Sequence, residues 1–140
     1  METATKTITV QAVVNAPLEK TWTLWTESAH IKLWNNASPD WHTPSAENDI
    51  RTGGKFNIRM EAKDGSFGFD FGGVYDEVKV NSLISYTMGD GRKVKVTFEK
   101  QGNETKIIEV FEPESENSVD MQRDGWQAIL DNFKKYAETK

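Results

Sequence analysis

Few side chains in this sequence are equipped for chemistry, and they are quickly named. Its two histidines are His30 and His42. His42 follows Trp41 in a turn-rich stretch, Ser38–Pro44. An imidazole there can act as a general base or touch a ligand, or it can simply be solvated. Neither histidine has a carboxylate or a thiol at metal-ligand spacing, so no zinc site is expected. Cysteine is absent, which removes disulfides, thiolate ligands and a thiol nucleophile, and fits a reducing compartment.

Glu109 is the other candidate. In Thr105–Glu112 the apolar residues support either strand phase. If Ile107 and Phe111 point inward, Glu109 does too, and burial would raise its pKa and make it a polar anchor for a ligand. If Ile108 and Val110 point inward, Glu109 is solvated. No Ser-His-Asp set, phosphate loop or dinucleotide fingerprint stands out, so no catalytic residue is assigned and no cofactor is expected.

The elements that must position these groups follow from period. Lys6–Val14 alternates, with Ile8, Val10, Ala12 and Val14 on one face. Asn15 offers a helix cap and Pro17 a first turn for a helix over Leu18–Thr26, with Leu18, Trp22 and Trp25 as its stripe. A second short helix is expected over Ser28–Asn36. Strands follow at Asn48–Thr52, Lys55–Lys63, Ser66–Val78, Leu83–Gly89, Arg92–Lys100 and Glu104–Glu112, separated by turn signals such as Asp64-Gly65 and Asp90-Gly91. Gly72-Gly73 is expected to kink the fourth of the chain's strand patterns. The period then changes. From Ser118, an N-cap candidate, to Glu138 the residues Met121, Gly125, Ala128, Ile129, Phe133 and Tyr136 share one helix face. Gln122, Arg123 and Asp124 read as the solvated face.

This order predicts an α+β fold. A curved antiparallel sheet of about six or seven strands wraps a long C-terminal helix, with two short helices after the first strand. A helix held off a curved sheet leaves a cavity, and such pockets hold about 300–1,000 Å³. The residues expected to line it are Trp25, Trp34, Trp41, Phe56, Ile58, Met60, Phe69, Phe71, Tyr86, Met88, Phe98, Glu109, Met121, Gly125, Ile129 and Phe133.

Composition narrows the partners. The 140 residues suit one domain, and a net charge of -5 with scattered lysines argues against nucleic acid. No apolar run approaches the roughly 18 residues of a membrane span, and METATKTITV pairs no basic region with an apolar stretch. A cytoplasmic protein that does not insert into membranes is expected.

Several motifs lie in order along nearly the whole chain. They are Asn15-Ala16-Pro17 with Trp22, then Trp34, then Asp49-Ile50-Arg51-Thr52-Gly53-Gly54-Lys55-Phe56. Gly73-Val74-Tyr75-Asp76-Glu77-Val78 with Leu83-Ile84-Ser85-Tyr86 follows, and Gly125-Trp126 completes the set. In these the chain resembles the SRPBCC superfamily of START-like and pollen-allergen-like helix-grip proteins. Within it, the resemblance is to the branch of the activator of heat-shock protein 90 ATPase homologue 1-like proteins. The resemblance implies a helix-grip fold over a single domain, 1–140. It also implies one of three roles. The first is non-catalytic binding of an apolar small molecule, such as a lipid or an aromatic or polyketide-like compound. The second is a stress-response module that meets a chaperone through exposed apolar residues, for which Val13, Val74 and Val78 are the candidates. The third is a cyclase- or hydrolase-like enzyme using the same cavity, with Glu109 or His42 as its acid or base.

Overall fold

The structure, a computed structural model, describes residues 7–36 and 38–140. Alternation makes the first strand, β1 (Ile8–Val14): Ile8, Val10 and Val14 are buried, Ala12 packs half-buried with them, and Thr9, Gln11 and Val13 face out. The expected start at Lys6 lies outside the described residues. Two short helices follow, α1 (Leu18–Thr26) and α2 (Ser28–Trp34). Asn15 does not cap α1. Pro17 holds the cap position with extended backbone, and its carbonyl accepts from both the amide and the hydroxyl of Thr21 at 2.9 Å. The Asn15 amide instead donates to the Glu138 carboxylate at 2.9 Å, joining the start of α1 to the chain's last helix.

Six strands come next: β2 (Trp41–Asn48), β3 (Lys55–Ala62), β4 (Gly68–Lys79), β5 (Leu83–Met88), β6 (Lys93–Gln101) and β7 (Glu104–Phe111). With β1 they form one antiparallel sheet of order β1-β7-β6-β5-β4-β3-β2. Its second strand corrects the sequence reading. Ser38–Pro44 is not all loop, because Trp41 and His42 already pair with Ala62 and Glu61. Asn48–Thr52 is not a strand beyond its first residue. Asp49–Gly54 is a turn in which the Arg51 amide donates to the Asp49 carbonyl at 2.9 Å and Gly53 takes a φ of 84°. β2 is an edge strand bonded on one side only. It therefore tolerates Pro44, where the register shifts between His42 and Ser45, and its polar composition hid it.

Gly72-Gly73 also acts differently from expectation. Pairing with β3 runs unbroken through both glycines, and the irregularity of β4 lies between Tyr75 and Glu77. What Gly73 supplies is close approach: a Cβ there would sit 2.4 Å from the Thr87 carbonyl oxygen of the neighbouring strand.

The last helix, α3 (Val119–Glu138), begins at Ser118, whose hydroxyl accepts from the Met121 amide at 3.0 Å. Its C-terminal half sinks Leu130, Phe133 and Ala137 into the core, packed against β1 and α2. Among the described residues no helix is long and apolar enough to cross a membrane.

Candidate functional site

The two halves of α3 pack differently, and this opens a site. Under the C-terminal half the rings close up. Phe133 meets Trp25 at 4.8 Å and Trp34 at 4.9 Å between centroids, and Phe98 meets Trp22 at 5.2 Å and Trp25 at 5.7 Å. Under the N-terminal half a hollow of about 290 Å³ remains between helix and sheet.

Its walls come from most of the fold. Trp25, Ile31 and Trp34 form the floor from α1 and α2, and Ile58, Met60, Phe69 and Phe71 form one side from β3 and β4. Ile84, Tyr86, Met88, Val96 and Glu109 line the sheet, and Gln122, Trp126 and Ile129 line the helix. The rings brace one another. Phe56 lies 4.9 Å from Tyr86 and 5.0 Å from Tyr75, and Trp126 stacks on Phe111 at 3.9 Å with 10° between planes.

The floor is held by side chains that satisfy backbone. Trp34 donates its indole N–H to the Leu24 carbonyl at 2.9 Å, and the Asn48 amide donates to Thr26 O at 2.7 Å. Asn132 of α3 donates to Trp34 O at 2.7 Å. The mouth is held by Gln122. Its Oε1 accepts from the Glu114 amide at 2.8 Å, and its Nε2 donates to the carbonyls of Glu114 and Asn117 at 3.1 and 2.8 Å.

The site residues expected from sequence divide accordingly. Eleven of them (Trp25, Trp34, Phe56, Ile58, Met60, Phe69, Phe71, Tyr86, Met88, Glu109 and Ile129) line the hollow. Phe98 and Phe133 are core residues beneath it. Met121 is 62% exposed, because the inward position of that helical turn is Gln122, which the sequence pattern assigns to the solvated face. Gly125 is not among the residues lining the hollow, and an added Cβ there would meet open space. Trp41 packs at 5.9 and 6.0 Å against Phe67 and Phe69, at the uncovered end of the concave face. Tyr75, Ile84, Val96 and Trp126 also line the hollow without being among the lining residues expected from sequence; their inward phase is the available signal.

The polar groups sort by whether they have partners. Tyr75 donates its hydroxyl to Asn48 Oδ1, and burial pushes that phenol up. Arg92 gives its guanidinium to the Asp90 carboxylate at 2.7 Å and to the Glu112 carbonyl at 3.4 Å. Glu114 accepts from the backbone amides of Glu116 and Asn117 and from the Asn117 side chain, which hold its carboxyl below the ordinary range. Glu109 is different. It is 6% exposed, finds no hydrogen-bond partner among the described residues, and loss of hydration alone pushes its carboxyl up to about 8. Tyr86, on the same side of the sheet, is likewise buried without a hydroxyl partner, and burial followed by the nearby Glu109 charge pushes its phenol well up.

His42 lies elsewhere. It pairs with Glu61 across β2 and β3, with its Nε2 3.8 Å from the carboxylate, on the convex face where Arg59 also meets Glu61 and Asp70. His30 bonds the Tyr136 hydroxyl at 2.6 Å near the chain's end. No cluster of three His, Asp or Glu fit to hold a metal occurs among the described residues. The exposed apolar candidates do not form one patch. Val13 is on β1 and Val74 on β4, with three strands between them, and Val78 packs against the core.

Comparison with known proteins agrees with this geometry. The family described as Activator of Hsp90 ATPase homolog 1-like protein matches residues 15–138. No curated protein matches the chain. The AHSA1-like protein from Aeromonas hydrophila, solved by NMR, is 40% identical, with a TM-score of 0.90 over 96% of this chain and 93% of that one. A protein from Cytophaga hutchinsonii is 55% identical, with a TM-score of 0.82 over 94% of this chain and 92% of that one. A protein from Nitrosomonas europaea shares the fold at 15% identity, with a TM-score of 0.80 over 95% of this chain and 94% of that one.

Proposed function

The chain belongs to the Activator of Hsp90 ATPase homolog 1-like family, and from that premise we propose that it binds a small apolar or aromatic molecule in the hollow under α3, without converting it chemically. The carrying observation is the space itself. Protein interiors are packed nearly as densely as organic crystals, and unfilled volume costs stability. This chain has rings enough to fill its interior, yet about 290 Å³ stays open beside a buried carboxyl. A guest that covers those walls gains roughly 25 cal/mol for each Å² of apolar surface removed from water.

The reading without chemistry follows from what surrounds the space. His42 faces away from it, no hydrogen bond orients Glu109, and its ionisable neighbour Tyr86 is a phenol that burial pushes well up, so it keeps its proton at neutral pH. Acid-base catalysis needs a group placed against the reacting atoms and usually a partner that orients it.

The test is titration with a neutral two-ring probe, 2-(naphthalen-1-yl)ethanol, followed by amide and methyl shifts. Saturable shifts are expected at Ile84, Tyr86 and Ile129. Shifts confined to Val13, Val74 and Val80 on the surface would dispose of the reading.

A further inference from the structure

We propose that the hollow is built for a basic amine carried on an apolar body, with the ammonium seated on the carboxylate of Glu109 and the hydroxyl oxygen of Tyr86. This deepens the ligand-binding reading above and rests on it. Three ionisable groups besides the two tyrosines line the hollow: Arg92, Glu109 and Glu114. Arg92 and Glu114 are already engaged with protein partners, as described. Glu109 is left as a buried carboxyl with no hydrogen-bond or ion-pair partner among the described residues, and Arg92, the cation that lines the hollow, is held instead by the Asp90 carboxylate and the Glu112 carbonyl.

The neighbours of Glu109 leave only a guest to answer it. Val10 on β1 and Val96 on β6 flank it in the sheet and are apolar. From α3 the facing groups, Gln122 and Trp126, carry no charge, and Gln122 is spent on the loop before the helix. Tyr75 on β4 is bonded to Asn48. Tyr86 on β5 therefore presents the other unmet oxygen. Two carboxylate oxygens and one phenol oxygen can receive the three N–H donors of a primary ammonium. Aromatic faces suit the same ion, and Trp126 sits on Phe111, the next inward residue of β7 after Glu109. An anionic head would meet the buried Glu109 carboxyl, and the Arg92 guanidinium is already paired with Asp90. The net charge of -5 also draws cations toward the molecule and repels anions.

The proton balance is explicit. The empty site holds Glu109 mostly protonated at neutral pH, since its carboxyl stands at about 8. An incoming ammonium keeps its own proton, the Glu109 O–H bond breaks, and that proton leaves to water. Close to one proton is released for each amine bound at neutral pH, and amine affinity rises with pH toward that value.

Three probes of one shape test this: 2-(naphthalen-1-yl)ethylamine, 2-(naphthalen-1-yl)ethanol and 1-naphthylacetate. Calorimetry in two buffers of different ionisation heat counts protons. The amine is expected to bind about tenfold tighter than the alcohol, with the acetate weakest and proton release seen for the amine alone. Glu109→Gln should erase the gap between amine and alcohol. If the alcohol binds wild type as tightly as the amine, the amine assignment is overturned while the ligand-binding function stands. If none of the three binds, the hollow is not a binding site and both fall. Should Glu109→Gln fail to fold, the wild-type proton count decides: amine binding without release overturns the proposal.

Discussion

Glu109 shows how much a single side chain can reveal. The folded protein holds its proton far more tightly than the unfolded chain does, about 8 against 4.5, because the ionised form has lost its water. The stability that this protonated carboxyl preserves is fully present below the unfolded value, and it is lost as pH rises through the folded one. A shift of that size is worth on the order of 5 kcal/mol across the window. Glu109→Gln keeps the shape and cannot ionise. Urea unfolding at about pH 5 and about pH 9 should therefore show the wild type losing a few kcal/mol that the variant retains. Parallel pH profiles for the two proteins would mean that the carboxyl is hydrated. The sequence alone left this residue undecided, since Ile107 and Phe111 suit one strand phase while Ile108 and Val110 suit the other. Pairing with β6 chooses between them: Glu109 sits opposite Val96, which is itself buried between Ile84 and Glu109.

At the scale of elements, apolar period alone located the middle strands and both short helices, because each buries one face against the same core. It failed where a polar residue is buried for its hydrogen bonds. Counting apolar residues placed Met121 inside, yet helix geometry turns Gln122 inward, where both ends of its amide meet the backbone of the β7–α3 connection. It failed again at β2, whose edge position relaxes the demand for apolar alternation. Gln122 can be tested directly. Gln122→Ala removes the fastening between α3 and residues 113–117 and leaves the Glu114 amide without its acceptor. The expected cost is about 1–3 kcal/mol in chemical denaturation. Hydrogen exchange should speed up at Glu114 and at the first turn of α3, with the strands unchanged. Unaltered exchange there would show that Ser118 alone secures the helix start.

For the whole molecule, the question is why the sheet and helix enclose a space that the chain's own rings do not fill. The aromatic cluster of Trp25, Trp34, Phe98 and Phe133 fixes the C-terminal half of α3. Gln122 ties its N-terminal half to the connection after β7, so the helix is pinned at two ends and does not settle onto β4 and β5. The floor is pinned as well, through Asn48 and Asn132, so collapse from below is blocked. A void maintained in this way should accept extra volume without harm, unlike a packed core, where added methylenes cost about 1–3 kcal/mol. Ile84 is the place to ask. It is buried, it lines the hollow, and it shares a cross-strand row with Val96 and Glu109. In Ile84→Phe the new ring would project into the space in front of Glu109. The melting temperature is expected to hold or rise, since new dispersion contacts replace empty volume. Affinity for a naphthalene probe should fall about tenfold, because its apolar surface can no longer be covered. The two readouts must separate. A steep fall in melting temperature together with lost binding would mean that the space is already committed to packing, and a retained probe affinity would place the binding site outside the hollow.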